Sequence, residues 1–398
     1  MTKLTFKLNR KINFENEAGL LIFNYTDYKS HPNPNKIDWK DSYIDYKNND
    51  KKVIRMEENF KAHPAYMNFL REVRSESFYI IEDFFDHKND DIRTLFYIYE
   101  KGDENFLPFI LSIFQNLDIK NESTLSYQSF KELFDIFFFQ YMGLDYINLA
   151  EDGIYTYKDL NEYMNGPRIM EYLASSPFSD EDTMTLLRAY QNTKDIYDRL
   201  NPFIEKLSVI IENKVHILDD LLYESFENLE KSNYKIAYEF TKQVGMDEMV
   251  SKESEEISIS ILLFLPFTQM FRFMDFYNFS KAIKLGILVD KRQTKESPYK
   301  LSSISQDLIA LADPTRIQIL DYLKEADYYA KELSEKLYIT PATLSYHLNK
   351  LLISGFVGLR KEGRRYYYYL RKNGFEYLID NLSKFNQDIK ETHNEWNY

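Results

Sequence analysis

The chain has 398 residues, 44% of them hydrophobic and 28% charged. It contains no cysteine, which excludes disulfides, thiolate metal sites and a cysteine nucleophile. The net charge of −13 argues against a nonspecific coat for nucleic acid and confines any such binding to a local basic island, and a chain of this length accommodates two or three domains.

The N-terminal stretch MTKLTFKLNRK lacks the apolar core of a secretory signal. The longest apolar runs, near Phe137 and over residues 261–267, fall short of a membrane span. A cytoplasmic protein with no membrane partner is expected. Residues 3–15 alternate enough for a strand or two, and residues 17–25 suit a helix. From there to about Asn233 helical patterns dominate, punctuated at His63-Pro64, Lys101-Gly102-Asp103, Asp152-Gly153, Gly166-Pro167, Ser176-Pro177 and Asn201-Pro202. Pro167 and Pro202 suit the first turn of a helix. Residues 203–229 form the longest candidate, with Leu207, Ile210, Ile211, Val215, Leu218, Leu222 and Phe226 on one stripe.

Between Glu255 and Lys291 the texture changes. EISISILLFLPF alternates and is β-branched, and residues 271–277 and 282–289 are strand-like. A small antiparallel sheet closing the N-terminal domain is expected. Residues 290–300 are polar, contain Pro298 and form the best linker candidate.

Residues 301–312 then suit a helix. Asp313 can cap a following helix that opens with Pro314, where a missing N–H costs nothing. Ile317, Leu320 and Leu323 continue it at helical spacing. Residues 331–337 form a second short helix, and Tyr338 and Ile339 a tight turn. Thr340 is a good cap and Pro341 a good first residue for a third helix. Its Leu344, Leu348, Leu351 and Leu352 make one core face, while Ala342, Thr343, Tyr346, Asn349 and Lys350 lie opposite, flanked by Ser345 and His347. Gly355 stops the helix. Residues 356–361 and 366–370 are β-rich around a turn at 362–365. Helix, helix, turn, helix, β-hairpin is the order of a winged helix-turn-helix. A last helix, residues 375–389, carries Phe375, Leu378, Ile379, Leu382, Phe385 and Ile389 on one stripe. The expected fold class is mainly α with small β elements. A large helical domain of oligomerisation or effector type spans residues 1–299, and the winged domain spans 300–398.

Charge points the same way. From Thr340 to Lys372 there are seven basic residues and one acid, Glu362, a local net of +6 in an acidic chain. A basic island on a hairpin tip and the helix before it is what phosphate contacts require.

This segment resembles the DNA-binding domain of the ArsR family of bacterial transcriptional regulators. The matching pieces are LADPTRIQIL, the helix TPATLSYHLNKLLISGFV with its Ser-x-His-Leu core, and the wing RKEGRRYYYYL, about seventy residues in order. The resemblance implies a transcriptional regulator that binds double-stranded DNA, as a homodimer on a near-palindromic operator. By position it implies that Ala342, Thr343, Ser345, Tyr346 and Lys350 face bases and phosphates, and that Arg364 and Arg365 lie on the wing. With Thr340, Arg360 and Lys361 these are the expected DNA-binding residues, on a recognition helix over 341–354 and a wing over 360–366. Pro341 and Ala342 stand where the family often has polar readers. The family's Cys-x-Cys metal motif has no counterpart in ADYYAKEL (326–333), so metal sensing is not carried over.

Elsewhere the chemistry is sparse. Asp83 with His87, and His216 with Asp219 and Asp220, have ligand-like spacing, but a solvated polar face explains both. His347, at the edge of the core face, suits a structural role better than a DNA contact. No HExxH, Walker-type, GxGxxG or GxSxG motif occurs. The expectation is no enzyme, no cofactor and no metal, with room for an unidentified small-molecule effector. The alternative is an interaction protein whose winged domain serves protein docking or dimerisation. The arginines beside the wing favour DNA, since a docking module has no need of them.

Overall fold

Buried apolar side chains sort into two clusters that share no residue, one from Ile12 to Val289 and one from Ile304 to Leu378. They belong to a computed structural model that describes residues 5–30, 39, 60, 62–86, 89–97, 108–117, 125–142, 144, 153–154, 156–174, 176, 178–243, 256–274, 280–291, 304, 307–362 and 365–387. The chain is mainly α with small β elements.

The first cluster opens with strand β1 (Thr5–Leu8) and helix α1 (Phe14–Ser30). Then come α2 (Pro64–Phe85), α3 (Asp90–Leu95), α4 (Phe109–Phe114), α5 (Tyr127–Tyr141), α6 (Tyr157–Tyr163), α7 (Gly166–Ala174) and α8 (Asp180–Gln191). The set is completed by α9 (Thr193–Lys214), α10 (Asp219–Lys231) and α11 (Lys235–Gln243). Local caps begin several of these: Ser126, Thr156 and Ser179 accept from the third backbone N–H of α5, α6 and α8. α1 packs along α9, which also contacts α2 and α5. Ala18, Leu20, Leu21 and Ile22 of α1 are fully buried.

The single helix expected over 203–229 is two helices. α9 begins earlier and runs through Pro202, so this proline is interior and not first-turn. Ile196 and Leu200 before it and Phe203 and Ile204 after it are all buried. Burial on both sides carries the helix across the missing hydrogen bond. A tighter 3-10 turn, Val215–Leu218, then separates α9 from α10.

The sheet of this part is mixed, where an antiparallel one is expected from sequence. Strands β2 (Glu256–Leu262), β3 (Gln269–Met274) and β4 (Ser280–Gly286) join β1 in the order β1-β2-β4-β3. β3 and β4 are antiparallel, but β1–β2 and β2–β4 are parallel. The hairpin occupies one flank of β4, so β2 takes the other and runs alongside it. β1 arrives from the far end of the chain, which no local pattern encodes. Side chains satisfy the backbone that leaves β2. The buried Glu17 carboxylate accepts from the N–H groups of Leu263 and Phe264, at 3.0 Å each, and the Tyr66 hydroxyl donates to the Leu263 carbonyl at 2.6 Å.

The second cluster holds α12 (Pro314–Glu325), α13 (Ala330–Leu337), α14 (Pro341–Ile353), the hairpin β5 (Val357–Glu362) and β6 (Arg365–Leu370), and α15 (Lys372–Gln387). Residues 307–311 are helical as well. α12, α13 and α14 pack on one another, α14 packs on β5, and α12 on β6. This is a winged helix-turn-helix. The linker expected over 290–300 lies outside the described residues apart from Asp290 and Lys291.

Candidate nucleic-acid interface

The residue order that builds the interface is explained locally. Asp313 accepts from the N–H of Arg316 at 3.0 Å and caps α12. The buried Arg316 guanidinium reaches back to the carbonyls of Ile309 and Ala310, tying the preceding helical segment to α12. Thr340 accepts from the N–H of Thr343 at 3.2 Å, Pro341 fills the first turn, and α14 begins there. At its other end Gly355 takes φ +71°, and the N–H groups of Gly355 and Phe356 return to the carbonyls of Leu352 and Leu351. That double closure needs a left-handed residue, which glycine supplies without a steric cost.

Leu344, Leu348, Leu351 and Leu352 face the core, as the spacing requires. Thr343 is exposed, and Ser345, Tyr346, Asn349 and Lys350 are half-buried. Lys350 Nζ lies 5.5 Å from the centre of the Tyr346 ring. His347 is buried, with Nδ1 3.5 Å from Asp313 Oδ1. Burial holds its pKa below the ordinary histidine value, against the opposing pull of Asp313. Both facts suit the structural role. His216 bonds through Nδ1 to the Asn213 carbonyl at 2.9 Å and belongs to no ligand-like cluster among the described residues, and His87 lies outside them.

The wing is braced by the segment between α12 and α13. Tyr328 and Tyr368 exchange backbone hydrogen bonds of 3.1 and 2.8 Å, adding a third, one-residue rung to the hairpin. Arg360 is the residue whose setting differs most from the expectation. Its guanidinium donates to Asp327 at 2.7 Å and also to Glu362, so both branches are engaged by acids. Arg365 is exposed and lies 4.7 Å from the centre of the Tyr329 ring, which meets Tyr367 edge-on. Asp327 is the participant that sequence reasoning missed. Asp327 is 33 residues from Arg360, and only the folded hairpin brings the two together. Of the remaining expected residues, Arg364 and the side chains of Ala342 and Lys361 lie outside the described residues.

Known proteins match this unit. Residues 313–358 match the family described as "Bacterial regulatory protein, arsR family". Over 83 residues the chain is 34% identical to the arsenical resistance operon repressor of Staphylococcus xylosus, covering 21% of this chain and 80% of that one. It is 32% identical to the Staphylococcus aureus repressor of the same name over 83 residues, with the same two shares. It is 30% identical over 84 residues to the transcriptional repressor SdpR of Bacillus subtilis (strain 168), covering 20% of this chain and 93% of that one.

Proposed function

Because this chain belongs to the arsR family of bacterial regulatory proteins, we propose that it is a DNA-binding transcriptional regulator acting through α14 and the wing. The carrying observation is the outer face of α14. Thr343, Ser345, Tyr346, Asn349 and Lys350 retain accessible surface beside a basic hairpin, while the leucines opposite are buried. In this reading Thr343, Ser345 and Tyr346, with Ala342, meet base edges in the major groove. Lys350, Lys361, Arg364 and Arg365 meet phosphates, with Thr340 at the helix start. Arg360 serves instead as a brace, holding the hairpin to Asp327. The role is regulatory and not enzymatic.

A single recognition helix is too small a contact for a selective site at physiological salt. The reading therefore includes a homodimer with two helices one turn of duplex apart, about 34–36 Å. Exposed apolar residues outside the DNA face support this: Leu308, Ile309 and Ile317 near the start of the winged unit, and Tyr377 and Ile379 on α15. The N-terminal part then sets the spacing of the two winged units, where an effector could act on it.

The test is selection of duplexes from a random pool by the full chain, followed by affinity measurements over a range of salt. A preferred inverted repeat, with affinity falling steeply as salt rises, is expected. No enrichment, or affinity flat from low to moderate salt, overturns the reading.

A further inference from the structure

The turn between α13 and α14 holds a residue that the interface described above does not use. Tyr338 is 94% exposed. Its backbone sits at φ +54°, ψ +38°, the left-handed region that costs an L-residue and not glycine. The local hydrogen bonds explain why the chain adopts it: the N–H groups of Tyr338 and Ile339 both return to the Ser334 carbonyl, closing α13. They do not explain why a large aromatic fills a position where glycine would relieve the strain. The packing does not explain it either. Among the described residues the phenol meets no hydrogen-bond, ion-pair or ring partner, whereas its neighbour Ile339 packs on the core. Many tyrosines of this unit are otherwise engaged: Tyr366 and Tyr368 are buried, Tyr328 bridges to β6, and Tyr329 lies against the Arg365 guanidinium and meets Tyr367 edge-on.

Its place on the chain supplies the missing partner. Tyr338 stands two residues before Thr340, the cap of the helix whose outer face is the DNA-reading surface. The first turn of a helix inserted in the major groove lies beside the sugar-phosphate strand bordering that groove. A phenol there combines an O–H that donates to a phosphate oxygen with a ring that covers a deoxyribose. We propose that Tyr338 is a DNA-backbone contact. It fixes the register of α14 on the duplex without reading sequence. The proposal rests on the DNA-binding reading above and adds a residue to it.

The contact has a signature that separates it from the arginines and from the base readers. A neutral phenol displaces no condensed cation, so its loss lowers affinity without changing the slope of log K against log salt. A backbone contact carries no sequence information, so the loss is equal on a selected duplex and on a shuffled one. The experiment compares full-length wild type, Tyr338→Phe and Tyr338→Gly on a duplex that the wild type selects from a random pool, and on its shuffled version. Expected is a loss of about tenfold for Y338F, from one charge-assisted hydrogen bond, and a larger loss for Y338G. Both losses are equal on the two duplexes with the salt slope unchanged, and the melting temperature of Y338G is no lower than wild type.

Wild-type affinity in Y338G overturns the proposal. A loss confined to the selected duplex overturns it in favour of base reading, and a lower melting temperature with the loss overturns it in favour of a structural role. If the wild type selects and binds no duplex, the DNA-binding reading fails and the contact fails with it.

Discussion

The arginines of the wing are chemically alike but sit in different settings. Arg365 is exposed and stacks on Tyr329, while Arg360 is neutralised by Asp327 and Glu362. A charge already paired within the protein releases few counterions from DNA. Arg365→Ala should therefore lower the salt slope by about one unit, and Arg360→Ala should leave it nearly unchanged. Equal slopes for the two variants would show that Arg360 also reaches phosphate. The Asp327–Arg360 pair itself adds little stability, about 1 kcal/mol at most, because both side chains are more than a third exposed. His347 makes a second point at this scale. Burial lowers its pKa in the fold, so the unfolded chain binds a proton more readily there. Its stabilising contribution is present above the unfolded value of about 6.5 and is lost as pH falls through the lower folded value. The melting temperature should drop more between pH 7.5 and 5.5 in wild type than in His347→Gln; parallel curves would rule out this histidine as a source of acid sensitivity.

At the scale of elements, α15 is docked by a close backbone approach. A Cβ on Gly374 would lie 2.2 Å from the Gly355 carbonyl oxygen, in the turn that ends α14. Neither backbone can swing aside as a flexible side chain would. Gly374→Ala should cost about 1–3 kcal/mol by overpacking. The effect should be local, speeding amide hydrogen exchange in α15 and the hairpin and leaving α9 unchanged. Unaltered protection of α15 would mean that the turn yields without cost. The same element corrects its sequence stripe. Leu378 is buried in the winged core and Phe375 packs against Phe356, but Ile379 is 61% exposed. One stripe of apolar residues thus divides between the unit's own core and its outer surface.

That division decides how the whole molecule is tested for pairing. A charge at Leu378 would unfold the winged unit and prove nothing about assembly. The exposed residues Ile309 and Ile379 are the informative ones, at 63% and 61% exposure. We expect the full chain to be a dimer by mass in solution, and the double variant Ile309→Asp, Ile379→Asp to be a folded monomer with weakened binding to an inverted repeat. A double variant that stays dimeric would move the pairing surface to the N-terminal part. A monomeric wild type that binds the repeat with full affinity would end the dimer hypothesis. Charge agrees with placing DNA on the winged unit, since the whole excess of −13 falls within residues 1–300 and residues 301–398 are balanced.

The sequence by itself determined the winged unit nearly element by element. Its signals are local: Asp313 and Thr340 as caps, prolines in first turns, a glycine at the end of α14 and leucines at helical spacing. Each acts within a few residues, and the strand register follows from a short hairpin. The same logic placed the β-rich stretch between Glu255 and Lys291. Only the tertiary structure decided that the N-terminal sheet is mixed, because β1 pairs with a strand some 250 residues away. It also decided that Pro202 lies inside a helix, because burial on both sides outweighs the proline's preference for a helix start. In the winged unit, the tertiary structure alone showed that Arg360 is engaged by Asp327 and that Tyr338 meets no hydrogen-bond, ion-pair or ring partner among the described residues. Both depend on which groups the folded chain brings within hydrogen-bond reach, and spacing along the sequence does not encode that.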